Sequence, residues 1–329
     1  MIYLQAPAQL KPFFQSMRLL NTPTRWHITT ILFVAVLSVS TSAVLVRFAL
    51  QASTQAGIGL SLVLAASRLC FASIIVAPAL RDIHQTTHQR HALVYSAIAG
   101  LLLAAHFASW ISSLSFTSIA ASTTLVTTNP IWVALISWFW FGDRLSRRTI
   151  AGIVITITGS LVISLTGSNA LDGGHNPLLG NSLALIGSWS FSLYFLLGRV
   201  AQRQQLSLRH HTAIAYTVAA VTLVPLPLLL GHPYNSYPIE VYGYAALMAM
   251  IPQLIGHTSL NWSVNHVSPT IVTLVLLLEP IGASLLGYLA FKELPGYNVL
   301  IGAAIILLGV AIATLDGGQS SHEEKQEIN

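Results

Sequence analysis

The longest uncharged stretch of this chain is the feature that most limits what it can fold into. Between Arg90 and Asp143 the chain runs for 52 residues without an Asp, Glu, Lys or Arg. A soluble domain cannot form its surface from such a segment. A membrane-spanning helix, in contrast, needs about 20 consecutive apolar residues to cross a hydrocarbon core of ~30 Å. The stretch is therefore long enough for two spans joined by a tight turn.

Composition extends this conclusion to the whole chain. Of its 329 residues, 54% are hydrophobic and only 8% are charged, whereas soluble proteins have about 45–50% apolar and about 25% charged residues. This charge deficit excludes a soluble enzyme, and the hydrophobicity excludes a disordered chain. The net charge of +5 comes from Lys and Arg spread between apolar stretches rather than clustered on one face, so no nucleic-acid partner is expected.

Uncharged stretches and turn signals predict an all-α integral membrane protein with ten transmembrane helices. The predicted helices cover residues 28–50, 58–80, 92–114, 118–141, 150–167, 179–199, 212–231, 240–264, 269–291 and 297–315.

The distribution of Lys and Arg predicts how these helices are oriented. With ten spans and a cytoplasmic N-terminus, 12 of the 15 Lys and Arg residues fall in cytoplasmic segments and only Lys292 falls in an outer loop. Cytoplasmic loops carry such an excess of positive charge. We therefore expect a multi-pass protein of the plasma membrane (the bacterial inner membrane) with both termini in the cytoplasm. Cys70 is the single cysteine, which excludes an intramolecular disulfide.

The two halves of the chain repeat each other. Asn129-Pro130 and Asp143 recur 150 residues later as Glu279-Pro280 and Glu293, and Gly152 and Gly159 recur in the same register as Gly302 and Gly309. The motif Ser38-x-Ser40 with Arg47 recurs 152 residues later as Ser190-x-Ser192 with Arg199. Each single match is weak, but their shared register indicates a duplication.

This duplication predicts two five-helix repeats of opposite orientation, because five spans bring the chain to the other side of the membrane. Inverted repeats around a site at the membrane midplane are typical of secondary transporters. The predicted organisation is a cytoplasmic N-terminal segment 1–27, a first repeat 28–167, an outer linker loop 168–178, a second repeat 179–315 and a cytoplasmic polar tail 316–329.

Several segments also resemble the drug/metabolite transporter superfamily, specifically the EamA-type transporters. In the first half these are "SVSTSAVLVRFA", "AASRLCFASIIVAP", "HFASWISSLSFTSIAASTTLVTTNP" and "FGDRLS". In the second half the segment is "GHTSLNWSVNHVSPTIVTLVLLLEPIGASLLGYLAFKELP". The resemblance covers residues 30–314 and implies ten helices in two repeats. It also implies transport of a metabolite, without indicating which one.

Two intramembrane charges are the first candidates for function. Glu279 lies near the centre of the ninth predicted helix, where a charged side chain costs about 2.5–3.5 kcal/mol on insertion scales. A carboxyl group there can carry a proton for coupling or bind a substrate amine; alternatively it fills a structural role beside Pro280. Arg68 lies in the second predicted helix, and we expect it to have a structural hydrogen-bonding role within the membrane.

Polar and aromatic residues on several helices are candidates for substrate binding. His106 and His257 occupy nearly corresponding positions in the two repeats, and each begins a polar helix face with spacing of three or four residues. Such residues can bind a ligand, although Ser and Thr also commonly join membrane helices. The predicted substrate-binding residues are His106, Trp110, Ser113, Thr128, Asn129, Trp189, Ser192, His257 and Asn261.

The leading functional hypothesis is a secondary transporter that moves a small metabolite by alternating access, with efflux of an amino acid or a similar amphipathic solute preferred. Proton coupling through Glu279 or the histidines is part of this hypothesis. Two alternatives are a passive channel or lipid-moving protein, and a membrane-embedded enzyme that uses His106, His257 and Glu279 on a lipid-soluble substrate. No ATP-binding motif is present, and we expect no enzyme activity, no cofactor and no metal ion; the expected partners are the solute and the lipid bilayer.

Overall fold

The computed structural model describes residues 23–53, 57–81, 83, 90–117, 119–142, 145–166, 176–291 and 297–316. Within these residues every regular element is helical and none is a strand, which confirms the all-α prediction. Asp143 and Glu293, the terminal segments apart from a few residues, and most of the predicted linker loop lie outside the described residues.

Fourteen α-helices form the framework of the described chain. They are α1 (Arg25–Ala52), α2 (Ile58–Val76), α3 (Arg90–Ser113), α4 (Ile119–Val126), α5 (Asn129–Ile136), α6 (Arg147–Thr166), α7 (Pro177–Arg203), α8 (Leu208–Leu223), α9 (Pro225–Leu229), α10 (Ile239–Met248), α11 (Thr258–Ser263), α12 (Pro269–Leu276), α13 (Glu279–Phe291) and α14 (Tyr297–Asp316). Short 3₁₀ turns follow at Ala77–Leu80 and Tyr234–Ser236, and wider π-helical stretches occur at Ser137–Phe141 and Ala249–His257.

Seven helical segments of the described chain are long and apolar enough to cross a membrane. They are Arg25–Ala52, Ile58–Leu80, Arg90–Ser113, Leu178–Arg203, Leu208–Leu229, Ile239–Ser263 and Pro269–Phe291. The chain is therefore a multi-pass membrane protein, while the count of ten spans stays a prediction.

Polar side chains define where several helices begin. The side chains of Thr24, Asn176, Ser207 and Ser268 each accept a hydrogen bond from the backbone N–H three residues later. These bonds satisfy N–H groups that have no partner within the first turn of a helix. Pro177 and Pro269 then occupy the first helical position, where the missing N–H of proline costs nothing.

Two predicted helices are broken in the structure, so their description as continuous helices 118–141 and 269–291 is corrected here. The first divides at Thr127–Thr128 into α4 and α5, and the second divides at Leu277–Leu278 into α12 and α13. Each break is followed directly by a residue and then a proline. The pairs are Asn129-Pro130 after the first break and Glu279-Pro280 after the second. Proline cannot donate the hydrogen bond that a continuous helix requires and its ring displaces the preceding turn.

The helices pair in a pattern that matches between the two halves. Helix α1 packs along the segment from α10 to α11, and α3 packs in the same way along α7. Helix α2 packs on α8, and α6 packs on α14. The largest apolar cluster lies between α1, α2, α3, α7 and α8. It includes Leu69, Leu103 and Phe107.

Large apolar side chains also cover the outside of the bundle. Trp138, Phe139 and Trp140 are 61%, 88% and 63% exposed. An apolar surface of this kind is typical of contact with lipid rather than with water. The outer surface therefore agrees with the membrane location that the composition predicts.

The contact between α6 and α14 gives a stability prediction. An added Cβ on Gly159 would lie 2.7 Å from the carbonyl oxygen of Gly302, so we expect Gly159→Ala to destabilise the fold by about 1–3 kcal/mol through overpacking. Gly243 is exposed and has nothing within 4 Å of an added Cβ; Gly243→Ala is the matched control and is expected to be neutral or slightly stabilising. Thermal unfolding in detergent measures both, and equal midpoints for the two variants would contradict the close contact.

Candidate functional site

Each of the two helix breaks is contacted by a serine side chain from the other half of the chain. The carbonyl oxygen of Asn129 accepts a hydrogen bond from Ser192 Oγ at 3.5 Å, and that of Glu279 accepts one from Ser40 Oγ at 3.3 Å. Each break is thus bonded by a serine from the other half of the chain. Ser40 and Ser192 are themselves equivalent residues of the sequence repeat, so the two halves support each other by the same interaction.

A small cavity of about 30 Å³ lies between these two breaks. In this conformation it has room for about two water molecules. The residues that line it come from both halves and are Val39, Ser42, His106, Phe107, Trp110, Val126, Thr127, Asn129, Phe191, His257, Leu260, Leu276 and Glu279.

Aromatic rings form one wall of this cavity. The His106 ring stacks on Trp110 with centroids 6.0 Å apart and an interplanar angle of 5°. The His257 ring meets Phe107 and Phe191 edge-on at 5.5 and 5.6 Å, and it lies 6.4 Å from His106. Ring faces carry negative electrostatic potential, so this wall can attract a cation as well as cover an apolar group.

The polar atoms at the cavity differ in how they are satisfied. His106 Nδ1 lies 2.9 Å from the carbonyl oxygen of Gly187, and because a carbonyl can only accept, Nδ1 carries the hydrogen. Asn129 Oδ1 accepts from Ser188 Oγ at 2.9 Å. His257 Nδ1 and Trp110 Nε1 are buried and have no hydrogen-bond partner within the described structure. Each of these two atoms therefore has unused hydrogen-bonding capacity.

Glu279 supplies the carboxylate of the cavity wall, and Arg68 is the cation that acts on it electrostatically. Arg68 lies behind the wall rather than in it: its side chain is 0% exposed. It donates to Gln253 Oε1 at 3.0 Å from Nε and to Ser42 Oγ at 2.9 Å from Nη1. Its guanidinium carbon also lies 4.2 Å from the centre of the Phe107 ring. The guanidinium thus connects α2 to three other elements of the bundle.

The structure brings five of the predicted site residues to the cavity: His106, Trp110, Asn129, His257 and Glu279. The other predicted binding residues lie elsewhere. Ser113 bonds Ser122, Thr128 bonds Ser188, Ser192 bonds the backbone at the first break, Asn261 bonds Tyr194, and Trp189 is 49% exposed on the outside of α7.

Sequence reasoning did not single out Phe107, Phe191 or Thr127, which the structure places at the cavity. Apolar residues are the rule in a membrane helix, so a phenylalanine gives no signal of its own. Phe107 follows His106 directly, and Phe191 precedes Ser192. Their adjacency to the predicted polar residues was the available signal.

Comparisons with known proteins agree with this architecture. Residues 26–165 and 178–315 each match the EamA-like transporter family. Two similar curated proteins are an uncharacterized transporter, YyaM, of Bacillus subtilis (24% identical, covering 61% of this chain and 66% of that protein) and a probable terminal-alkyne amino-acid exporter of Streptantibioticus cattleyicolor (24% identical, covering 57% and 61%). The matched region spans less than two thirds of either relative.

A third relative and a solved structure extend the comparison. The pseudopaline exporter CntI of Pseudomonas aeruginosa is 24% identical over 64% of this chain and 71% of that protein. A crystal structure with 21% sequence identity superposes with a TM-score of 0.67, covering 90% of this chain and 99% of the other. At that identity the likeness shows a shared fold.

The contacts of Arg68 predict a structural role that stability can test. Arg68→Ala removes two hydrogen bonds from a charged donor, each worth about 1.5–3 kcal/mol, and leaves Gln253 Oε1 buried without a donor. We expect a clear fall in the thermal unfolding midpoint in detergent. Arg203→Ala, at an exposed arginine on the last turn of α7, is the control and should leave the midpoint within about 0.5 kcal/mol of the parent. Equal midpoints for the two variants would refute the structural role of Arg68.

Proposed function

The chain belongs to the EamA-like transporter family, and from that premise we propose that it is a secondary transporter that exports a small amine-bearing metabolite. The proposed solute is an amino acid or a similar amphipathic compound, moved across the plasma membrane by alternating access. The observation that carries this proposal is the cavity between the two helix breaks, where Glu279 stands beside a wall of aromatic rings.

The proposed architecture has ten spans in two inverted five-helix repeats, with both termini in the cytoplasm. The family matches the chain twice, once in each half, and the packing of α1 and α3 on their partners is equivalent in the two halves. The reciprocal bonds of Ser40 and Ser192 to the opposite helix breaks support the same relation. Inverted repeats allow two conformations of similar energy that open the cavity to opposite sides.

The chemistry of the cavity favours an organic ammonium group on the solute. Glu279 can form a charge-assisted hydrogen bond to an ammonium, while the faces of Trp110 and Phe191 attract the same cation. Phe107 and Leu276 offer apolar surface for the remainder of the molecule. His257 Nδ1 and Trp110 Nε1 can bond a polar group of the solute, such as a carboxylate accepting from the indole N–H.

Export and proton coupling follow from the same carboxylate. Two relatives are named as exporters, and we propose the same direction here. Glu279 can bind either a proton or the ammonium group of the solute. It cannot bind both at once, because a protonated carboxyl group is neutral and does not attract the ammonium. Binding of solute from the cytoplasm then displaces the proton, so protons moving inward drive the solute outward.

A ligand screen tests the proposed solute class. Full-length protein in detergent is heated with single amino acids, polyamines, nucleobases or aromatic amphiphiles, since a ligand at 100 times its Kd stabilises the fold by about 2.7 kcal/mol. We expect stabilisation by amine-bearing compounds and its loss in Glu279→Gln. Glu240→Gln, which changes an exposed carboxylate at the start of α10, should preserve it. Stabilisation only by compounds without an amine would contradict the proposed role of Glu279.

Transport by proteoliposomes tests the coupling. For an amino acid that stabilises the protein, we expect uptake into vesicles to follow an outward proton gradient in the parent protein. Because glutamine cannot bind or release a proton, Glu279→Gln should show no response of uptake to the gradient. Glu240→Gln should retain the parent response. A full gradient response in Glu279→Gln would exclude this carboxyl as the coupling group, and flux that never saturates would favour a channel over a carrier.

A further inference from the structure

A second polar cluster lies one helical turn beyond the cavity, toward the end of the bundle that bears Arg203 and Arg209, here called the arginine end. Phe191 lines the cavity on α7, and Tyr194 follows it at the next turn; His257 lines the cavity, and Asn261 follows on α11. Tyr194 and Asn261 are both 0% exposed. The Asn261 amide donates to the Tyr194 hydroxyl, so the cluster closes the space between α7 and α11.

His211 on α8 is the ionisable centre of this cluster. It is 0% exposed, its Nδ1 lies 2.9 Å from Ser96 Oγ on α3, and its ring stacks on Tyr194 with centroids 6.2 Å apart. Its Nε2 has no hydrogen-bond partner within the described structure, and neither has Asn261 Oδ1. Four helices therefore meet around a histidine of which one nitrogen is unsatisfied.

The two unsatisfied atoms face the same point above Gly198. An added Cβ on Gly198 would lie 2.7 Å from His211 Nε2 and 3.7 Å from Asn261 Oδ1. Without a Cβ at residue 198, both atoms lie beside a space that a larger side chain would fill. They are not bonded to each other, so the closed cluster gives the ring one hydrogen bond, at Nδ1, and leaves Nε2 without an acceptor.

The other end of the bundle closes with different chemistry. Val46 stands 152 residues before Gly198, the spacing that relates Ser40 to Ser192, and Leu60 stands 151 residues before His211, the spacing that relates His106 to His257. Val46 and Leu60 belong to one buried apolar cluster, together with Val63, Val241 and Met248. The repeat thus places two members of an apolar cluster at one end where it places Gly198 and His211 at the other.

We propose that His211 is a second proton-binding site, separate from Glu279, and that its protonation opens the bundle at the arginine end. The proposal rests on alternating access through the cavity. In the closed cluster the neutral ring is stacked and bonded once. A charged ring in that space is poorly solvated, whereas separation of α8 from α7 admits water to it. A proton that binds the open form better shifts the population toward it.

The described elements packed around His211 carry several ionisable groups. On α7, Tyr194 contacts the His211 ring, and the half-buried Arg199 directly follows Gly198. On α8 itself, His210 bonds Ser207, and Tyr216 bonds Thr258 and interacts with Arg68 of α2. Helix α3 contributes Ser96 and α11 contributes Asn261, which are uncharged. The short segments Ala77–Leu80 and Pro225–Leu229, which also pack on α8, contain no ionisable side chain.

Nitrogen NMR of the full chain in lipid bilayers tests proton binding directly and needs no solute. The protein carries ¹⁵N-labelled histidine, and the signal that disappears in His211→Asn is assigned to His211. A His266→Asn variant, which changes an exposed ring on Trp262, controls for general effects of substitution. We expect the His211 signal to change from the neutral to the doubly protonated form as the pH falls from about 8 to about 4. A ring that stays neutral throughout overturns the proposal.

Thiol accessibility tests the opening. Val39→Cys places a cysteine in the cavity wall in a Cys70→Ser background, and His266→Cys marks which side of sealed vesicles presents the arginine end. An impermeant methanethiosulfonate is added on that side to Val39→Cys protein with either His211 or His211→Leu. The ratio of the two labelling rates cancels the pH dependence of the thiol itself.

We expect this ratio to rise as pH falls, by at most about tenfold per pH unit for one linked proton. From the opposite side of the membrane the ratio should stay constant. The double variant Gly198→Val/His211→Leu carries the residue types of Val46 and Leu60. Its labelling rate should be insensitive to pH apart from the thiol itself, and it replaces His211→Leu in the comparison if that single variant is unstable. A constant ratio at the arginine end overturns the gating role even where the ring titrates. If the labelling ratio rises but the protein transports no solute, the proposed transport function is refuted and the opening at the arginine end stands.

Discussion

The buried guanidinium of Arg68 is the interaction on which the centre of this bundle depends. A cation inside an apolar membrane protein is tolerated only where its charge and its N–H groups are compensated locally. Here Gln253 and Ser42 accept from Nε and Nη1 and the Phe107 ring lies beneath the guanidinium, while Nη2 has no hydrogen-bond partner within the described structure. These partners come from α1, the π-helical stretch and α3, so compensation of one charge fixes the relative positions of four elements around the cavity.

The helix breaks also connect the two halves of the chain. Ser192 Oγ lies within hydrogen-bond distance of the carbonyl oxygen of Asn129, and Ser40 Oγ of that of Glu279, while each hydroxyl makes its shorter bond within its own helix. These contacts place α7 beside the first break and α1 beside the second. Since each serine comes from the opposite half, the two halves meet at both breaks, and the cavity lies between them.

Sequence periodicity and charge were sufficient to predict the helical segments, and the proline motifs were sufficient to locate Asn129 and Glu279 at the centre. The breaks themselves were not predicted, because a proline at the first position of a new helix and a kink within one helix look alike in sequence. Trp189 was predicted to bind substrate but faces outward. In a membrane helix both faces are apolar, so the sequence does not show which face turns toward a partner. The same ambiguity concealed Phe191, two residues away on the opposite side of α7, and His211.

The repeat makes the backbones of the two halves equivalent, whereas the side chains at equivalent positions differ. Val39 corresponds to Phe191, Ser42 to Tyr194, and Asn129 to Glu279. Equivalent backbones allow two conformations of similar energy, because each half can adopt the arrangement of the other. The differences in side chain then determine which conformation a proton or a cation favours. A carboxyl at one of two matching breaks, and a histidine at one of two matching closures, give a duplicated fold the polarity that directional movement of a solute requires.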